Sequence, residues 1–233
     1  TRRRFRRVML EHFSPRTFLG ADMTLPTAYQ PFDLYYYSET VPWYQGGRRR
    51  KDWATEDGQK RGADAAVSCH MDTQWLDAGW FDVGFPDGVG NYSFAKGFPN
   101  GLRPVSDYAR SKGLRFMLWF EPERVHKDTE VFREHRDMLL SKPGSDDYLF
   151  NLADERALSW LTDKLIAFIR DNGIDIYRQD FNFEPLPYWL AADEEGRRGV
   201  TEMKYVAGHY ALWDALLAAF PALLIDNCAS GGR

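Results

Sequence analysis

Long apolar runs, paired cysteines and glycine-rich turns are all scarce in this chain, and each scarcity removes a class of function. No stretch approaches the roughly 20 consecutive apolar residues that cross a bilayer. The opening TRRRFRR is too rich in arginine for a secretion signal built on an apolar centre. A cytoplasmic protein with no membrane partner is therefore expected. There are two cysteines, Cys69 and Cys228, and their distance in sequence offers neither a disulfide framework nor a paired-cysteine metal motif. Two free thiols in a reducing compartment is the simpler reading. No glycine-rich phosphate fingerprint follows the first strand candidate, which disfavours a nucleotide site. The net charge of −4 argues against a general polyanion binder. The basic runs TRRRFRR and RRRK (48–51) read as solvated faces, so no nucleic-acid partner is expected.

What is present is enough for a substantial core: 233 residues, 44% of them hydrophobic and 15% aromatic, which suffices for one domain. Short apolar runs alternate with amphipathic segments. RFMLWFEPE (115–123), IDIYRQD (174–180), TQWLDAGW (73–80) and ALLIDNCASGG (222–232) have strand length and character, and LPTAYQPFD (25–33) is an earlier candidate. Between them lie helix patterns. Asp154 is placed to cap a helix whose stripe is Leu158, Leu161, Leu165, Phe168 and Ile169, with Gly173 just past its end. Thr201 is placed to start another carrying Met203, Val206, Tyr210, Trp213, Leu217 and Phe220 on one face. Segments 54–69 and 104–113 read as shorter helices. Strand followed by helix, repeated, predicts an α/β fold of parallel βα units.

The chemically interesting residues fall at one kind of place. Asp77 and Trp80 follow the second strand candidate, Glu121, Glu123 and Arg124 the third, Asp180 and Asn182 the fourth, and Cys228 to Arg233 the fifth. In a (β/α)8 barrel these positions share the C-terminal face, where catalytic residues gather. A doubly wound sheet also places ligands at carboxyl strand ends, so the pattern favours the barrel without deciding it. Arg178 beside Asp180 favours an ionised carboxylate, usable as a nucleophile or as a stabiliser of positive charge. An ion pair tying the strand to a neighbour explains the same two residues. Repetition tips the balance. Carboxylates end three successive strands with Trp75, Trp80, Trp119 and Phe120 beside them, a combination suited to a sugar's hydroxyl rim and C–H faces. A metal-dependent barrel enzyme using Asp77, Glu121 and Asp180 is the rival, disfavoured because His126 alone among the histidines lies near those ends and no ligand spacing is visible.

Four ordered motifs carry a resemblance. LDAGWF (76–81), LWFEPERV (118–125), YRQDFN (177–182) and NCASGGR (227–233), with AYQPFDLYYY (28–37) at the first strand, resemble the strand-end motifs of glycoside hydrolase family 36, the melibiase-type α-galactosidases. The resemblance implies a (β/α)8 catalytic barrel between an N-terminal β-sandwich and a C-terminal β domain. It also implies hydrolysis of α-galactosides with retention of configuration and without metal or cofactor. Residue by residue, Asp180 matches the nucleophile and Arg178 stands where a lysine contacts sugar hydroxyls. Asp77 matches the first of two adjacent aspartates that hold the sugar, and Trp119 matches the aromatic residue after the third strand. Cys228, Ser230 and Gly231 match the segment near the 2-hydroxyl, and Trp80 and Asn182 are taken with them as substrate contacts. Two positions depart from the pattern: Ala78 replaces the second aspartate and Gln179 replaces a tryptophan, which puts galactose in doubt more than it does a retaining glycosidase. Glu121, Glu123 and Arg124 fit a rim ion network as well as sugar contact.

On this reading residues 1–20 are the end of a preceding β domain and a linker, and residues 21–233 are the N-terminal part of the barrel, about five βα units. The acid/base carboxyl is expected beyond Arg233, the substrate is an α-linked oligosaccharide or glycoside, and the full-length protein is a possible homo-oligomer. A retaining α-glycosidase of other sugar specificity and a non-catalytic sugar-binding homologue are the alternatives.

Overall fold

The computed structural model describes residues 2–13, 17–22, 25–30 and 54–230. Five parallel strands carry the architecture: β1 (Ala28–Tyr29), β2 (Thr73–Leu76), β3 (Arg115–Phe120), β4 (Ile176–Gln179) and β5 (Leu224–Asn227). They hydrogen-bond in chain order, each to the next in sequence. A doubly wound sheet reverses its winding at a switch point. This sheet never reverses, which is the order of a (β/α)8 barrel. After β1 to β4 come, in turn, α1 (Glu56–Ser68), α2 (Arg103–Ser111), α3 (Glu155–Asn172) and α4 (Val200–Ala219).

Local chemistry sets these boundaries. The Thr55 hydroxyl accepts from Gly58 N–H at 3.0 Å and starts α1. Asp154 accepts from the N–H groups of Arg156 and Ala157 at 2.8 and 3.1 Å, and Gly173 closes α3 with φ +64°, the left-handed conformation that glycine adopts without strain. The first turn of α4 is capped from outside, because the Asp193 carboxylate accepts from Gly199 and Thr201 N–H. No helix among the described residues is long and apolar enough to cross a membrane.

The structure corrects one expectation and adds two features. In α4 the buried face is Tyr205, Gly208, Leu212 and Leu216, while Met203, Val206, Tyr210 and Leu217 are exposed. The helix is apolar all round, so periodicity could not choose a face. Gly208 chooses it: a Cβ there would meet Leu152 O at 2.0 Å, and only the glycine face can approach that backbone. Second, the connection from β3 to α3 holds a three-stranded antiparallel sheet, Arg124–His126, Asp147–Phe150 and Leu139–Leu140, and a short helix Glu130–Glu134. Strands of two to four residues leave almost no alternation to detect. Third, among the described residues of 1–20, Thr17–Phe18 pairs with Ala21–Asp22, and Arg2–Val8 is an α-helix continued by a π turn, Met9–Phe13. This stretch has no proline or glycine, and Arg7 Nε pairs with Glu11 one turn on, at 2.7 Å.

The two-residue period of the strands divides the side chains into two layers. Trp75 and Asp77, Met117, Trp119 and Glu121, Ile176, Arg178 and Asp180, and Asp226 form the inner set, in a register that aligns Trp119, Arg178 and Asp226. Gln74, Leu76, Phe116, Leu118, Phe120, Tyr177 and Gln179 form the outer set, against the helices. Bonds across each layer confirm the division: Gln74 donates to Gln59 of α1 and Gln179 accepts from Trp213 of α4, whereas Arg178 lies over the Trp75 ring.

Candidate active site

Asp180 is the first residue past β4, and Phe120 O of β3 accepts its N–H at 2.8 Å. The residue is 9% exposed, and its carboxylate is heavily supplied with donors. Oδ2 accepts from Trp119 Nε1 at 3.1 Å and Asn182 Nδ2 at 2.9 Å; Oδ1 accepts from Phe181 N–H at 2.8 Å and Ser230 N–H at 3.2 Å. The Cys228 side chain adds a further hydrogen bond. Burial works to raise the carboxyl's pKa. The bonds from Asn182, Trp119, Cys228 and Phe181 more than offset it, so Asp180 stays below its usual value and ionised.

Asp77 takes the corresponding position past β2 with the opposite result. It is buried and accepts from Ala78 N–H at 2.8 Å. Burial raises its pKa to about 6 against the opposing effects of the Ala78 N–H, Arg178 and Gln30, and the charge of Asp180 pushes the same way as burial. Glu121 past β3 is likewise raised to about 6 by burial, opposed by Arg124 and the Asn182 N–H. Its Oε2 pairs with Arg124 Nη2 at 2.8 Å and its Oε1 accepts from Asn182 N–H. The chain thus holds one carboxyl lowered below its usual pKa and two raised to about 6 past three neighbouring strands, a separation typical of acid–base sites. The described residues include no group of three or more His, Cys, Asp or Glu side chains placed to share a metal ion.

The other expected residues divide. Trp119, Asn182, Cys228 and Ser230 gather on Asp180, and the Ser230 hydroxyl also donates to Asn182 Oδ1 at 2.8 Å. Arg178 pairs with Asp226 of β5 and lies 4.2 Å from the centre of the Trp75 ring, on the inner face of the sheet, where its charge also favours an ionised Asp77. Asp226 was not singled out, although a charge in register with Arg178 on the next strand is a usable signal. Trp80 corrects the expectation of a sugar platform. It is 2% exposed, its indole donates to Trp119 O at 2.8 Å, and Phe81, Tyr92, Phe94, Phe120 and Phe168 surround its ring. A tight turn after Asp77, with Gly79 N–H donating to Asp77 O at 2.7 Å, swings the chain away from the site. Gly231 lies outside the described residues.

The two departures from the family pattern also lie off the site. Ala78 is buried in the hydrophobic core, and Gln179 points outward to α4. Glu123 belongs with Gln179, whose Nε2 donates to it at 2.6 Å.

A family model described as Melibiase matches residues 52–233. The chain belongs to the melibiase family. Among the family's characterised sequences, alpha-galactosidase Mel36A of Lactobacillus acidophilus is 30% identical over 189 residues, covering 76% of this chain and 25% of that protein. An alpha-galactosidase of Escherichia coli is 30% identical over 179 residues, 73% of this chain and 24% of that one. The chain therefore spans about a quarter of the length of these melibiase relatives. Among solved structures, the alpha-galactosidase of Lactobacillus brevis superposes with a TM-score of 0.75 at 22% identity, over 91% of this chain and 28% of that chain. AgaA of Geobacillus stearothermophilus, in complex with stachyose, superposes with a TM-score of 0.68 at 24% identity, over 77% and 26%. At these identities the likeness is one of fold: the melibiase chain forms part of the barrel of the family 36 enzymes.

Proposed function

We propose that the protein containing this chain is a retaining α-glycoside hydrolase of α-galactosidase type, with Asp180 as its nucleophile. The observation that carries the reading is the donor set on Asp180, which keeps a buried carboxylate ionised at the C-terminal face of a barrel strand. The names of the relatives, all alpha-galactosidases, and the galacto-oligosaccharide bound to AgaA support an α-linked galactoside as the substrate class.

In this scheme an Asp180 oxygen attacks the anomeric carbon while the bond to the leaving oxygen breaks and an acid protonates that oxygen. Water then attacks the glycosyl ester, losing its proton to the same group, and Asp180 leaves as a carboxylate. Glu121 is committed to Arg124 and Asn182, and Glu123 faces the outer layer. Asp77, held by Ala78 N–H and in the place of a sugar-holding aspartate, is assigned to binding. The resemblance to family 36 implies an acid/base carboxyl in the part of the protein that this chain, about a quarter of its relatives' length, does not span.

The test is turnover of a panel of nitrophenyl α-glycosides by the complete protein, followed by trapping with a fluorinated glycosyl donor and mapping of the labelled peptide. The expected result is turnover of the α-galactoside and a glycosyl mass on the peptide containing Asp180. Label on another carboxyl, or turnover with no labelled intermediate, would exclude Asp180 as nucleophile.

A further inference from the structure

The reaction scheme leaves unused a polar cluster behind the nucleophile strand. Gln179 precedes Asp180 and points the opposite way. Its Nε2 donates to Glu123 Oε1 at 2.6 Å, and its Oε1 accepts from the Tyr177 hydroxyl at 3.0 Å and from Trp213 Nε1 at 2.8 Å. Glu123 Oε2 accepts from the Tyr205 hydroxyl at 2.7 Å and lies 3.3 Å from His209 Nδ1. Gln179 and Glu123 are 1% and 3% exposed.

Burying an amide and a carboxylate between a sheet and a helix is costly, and well-packed apolar residues generally serve stability as well or better. What such a cluster adds is fixed direction. It joins the segment after β3, the last residue of β4 and two turns of α4 through bonds that each require one orientation. The backbone transmits that placement. Gln179 O accepts from Cys228 N–H at 2.8 Å, and the next N–H, that of Asp180, donates to Phe120 O. The residue that anchors the cluster therefore also fixes the root of Asp180 and the Cys228–Ser230 turn, from which Ser230 N–H reaches Asp180.

We infer that Glu123 and Gln179 are positioning residues for Asp180, holding its carboxylate among its donors from the outer face of the sheet. The inference rests on the proposed role of Asp180 as nucleophile and names a device that the role requires. The charged and titratable groups around Asp180 are Asp77 past β2, Glu121 past β3, Arg178 on β4 and Cys228 past β5. Small displacements of Asp180 change its distance to all of them, so its ionisation reports its placement.

The experiment compares Glu123→Gln, Gln179→Leu and the milder Tyr205→Phe in the complete protein. A misplaced reacting group is expected to lower kcat about 10- to 100-fold while KM moves less than about threefold. The acid limb of the kcat/KM profile should shift to higher pH as Asp180 loses donors. Iodoacetamide should alkylate Cys228 several-fold faster relative to exposed Cys69, as read by mass spectrometry. Tyr205→Phe removes one bond to Glu123 and should move the same readouts less, with the melting temperature retained. Folded Gln179→Leu and Tyr205→Phe proteins with an unmoved acid limb and an unmoved Cys228 to Cys69 ratio would overturn the inference, whatever their kcat. Should the wild type turn over no α-glycoside, the hydrolase reading fails on its own, and the alkylation ratio still decides whether the cluster holds the strand end.

Discussion

Asp77 and Asp180 occupy equivalent places, each the first residue past a parallel strand and each on the inner face, yet the protein shifts their pKa values in opposite directions. Asp180 accepts from two side-chain N–H groups and two backbone N–H groups, with a thiol besides, and stays ionised. Asp77 has the Ala78 N–H and Gln30 as hydrogen-bond donors, and burial carries it to about 6. Burial works to raise both carboxyls, and the larger donor set on Asp180, most of it from neighbouring strands and the segments after them, is what offsets it there.

The contrast can be broken at Asp180 with the largest effect. Asp180→Asn keeps the shape and replaces the nucleophile with an amide, and turnover should fall by at least about a thousandfold with little change in melting temperature. Near-normal turnover would remove Asp180 from the reaction. At Asp77 the effect falls on stability. Its folded pKa is raised from 3.8 to about 6, so the folded state holds the proton more tightly than the unfolded state does. Stability is therefore intact below about pH 4 and falls as pH rises through about 6, by about 3 kcal/mol for a two-unit shift. Asp77→Asn should remove this loss. Urea titrations of both proteins at pH 5 and pH 8 check it: the variant's gain on the wild type should be larger at the higher pH by about 1–2 kcal/mol, and a constant difference would show that Asp77 does not titrate between them.

Trp119→Phe sharpens the contrast from the donor side. Without the indole N–H, Asp180 should lose about 1.5–3 kcal/mol of support for its charge, shifting the acid limb of kcat/KM upward by about one to two pH units. An unmoved limb would mean that the remaining donors compensate in full. The smallest effect is expected at Ser230, which supports Asp180 through its backbone N–H at φ +46°. Ser230→Gly keeps that N–H and relieves the left-handed backbone, so kcat/KM should stay within about threefold of wild type. A larger drop would show that the hydroxyl on Asn182 matters more than the backbone bond.

Much of this was legible in the chain. The runs read as strands at 115–123 and 174–180 hold strands at Arg115–Phe120 and Ile176–Gln179, and α3 begins and ends where Asp154 and Gly173 place it. Asp180, Trp119, Asn182, Cys228 and Ser230 do converge. What escaped reading shares a physical cause, the dependence of direction on a remote contact. Trp80 has the sequence position of a platform and is turned into the core by the Gly79 turn. Gln179 and Ala78 look like changes in a sugar pocket, yet the pleat and the turn after β2 face both away from it. The buried face of α4 depends on one glycine against Leu152.

The unreversed order of the sheet bears on how the protein comes into being at the ribosome. Every strand pairs with the one made just before it, so the sheet can be laid down during translation without waiting for distant partners. The ensemble around Asp180 is completed on a later schedule. Trp119 is already in place when Asp180 emerges, but Ser230 follows it by 50 residues. At about 5–20 residues per second that is an interval of about 3–10 s, during which a buried carboxylate lacks part of its hydrogen-bonding. Until Leu224–Asn227 is made, no more than four of these five strands can pair, and until Cys228 and Ser230 follow, Asp180 lacks two of its donors.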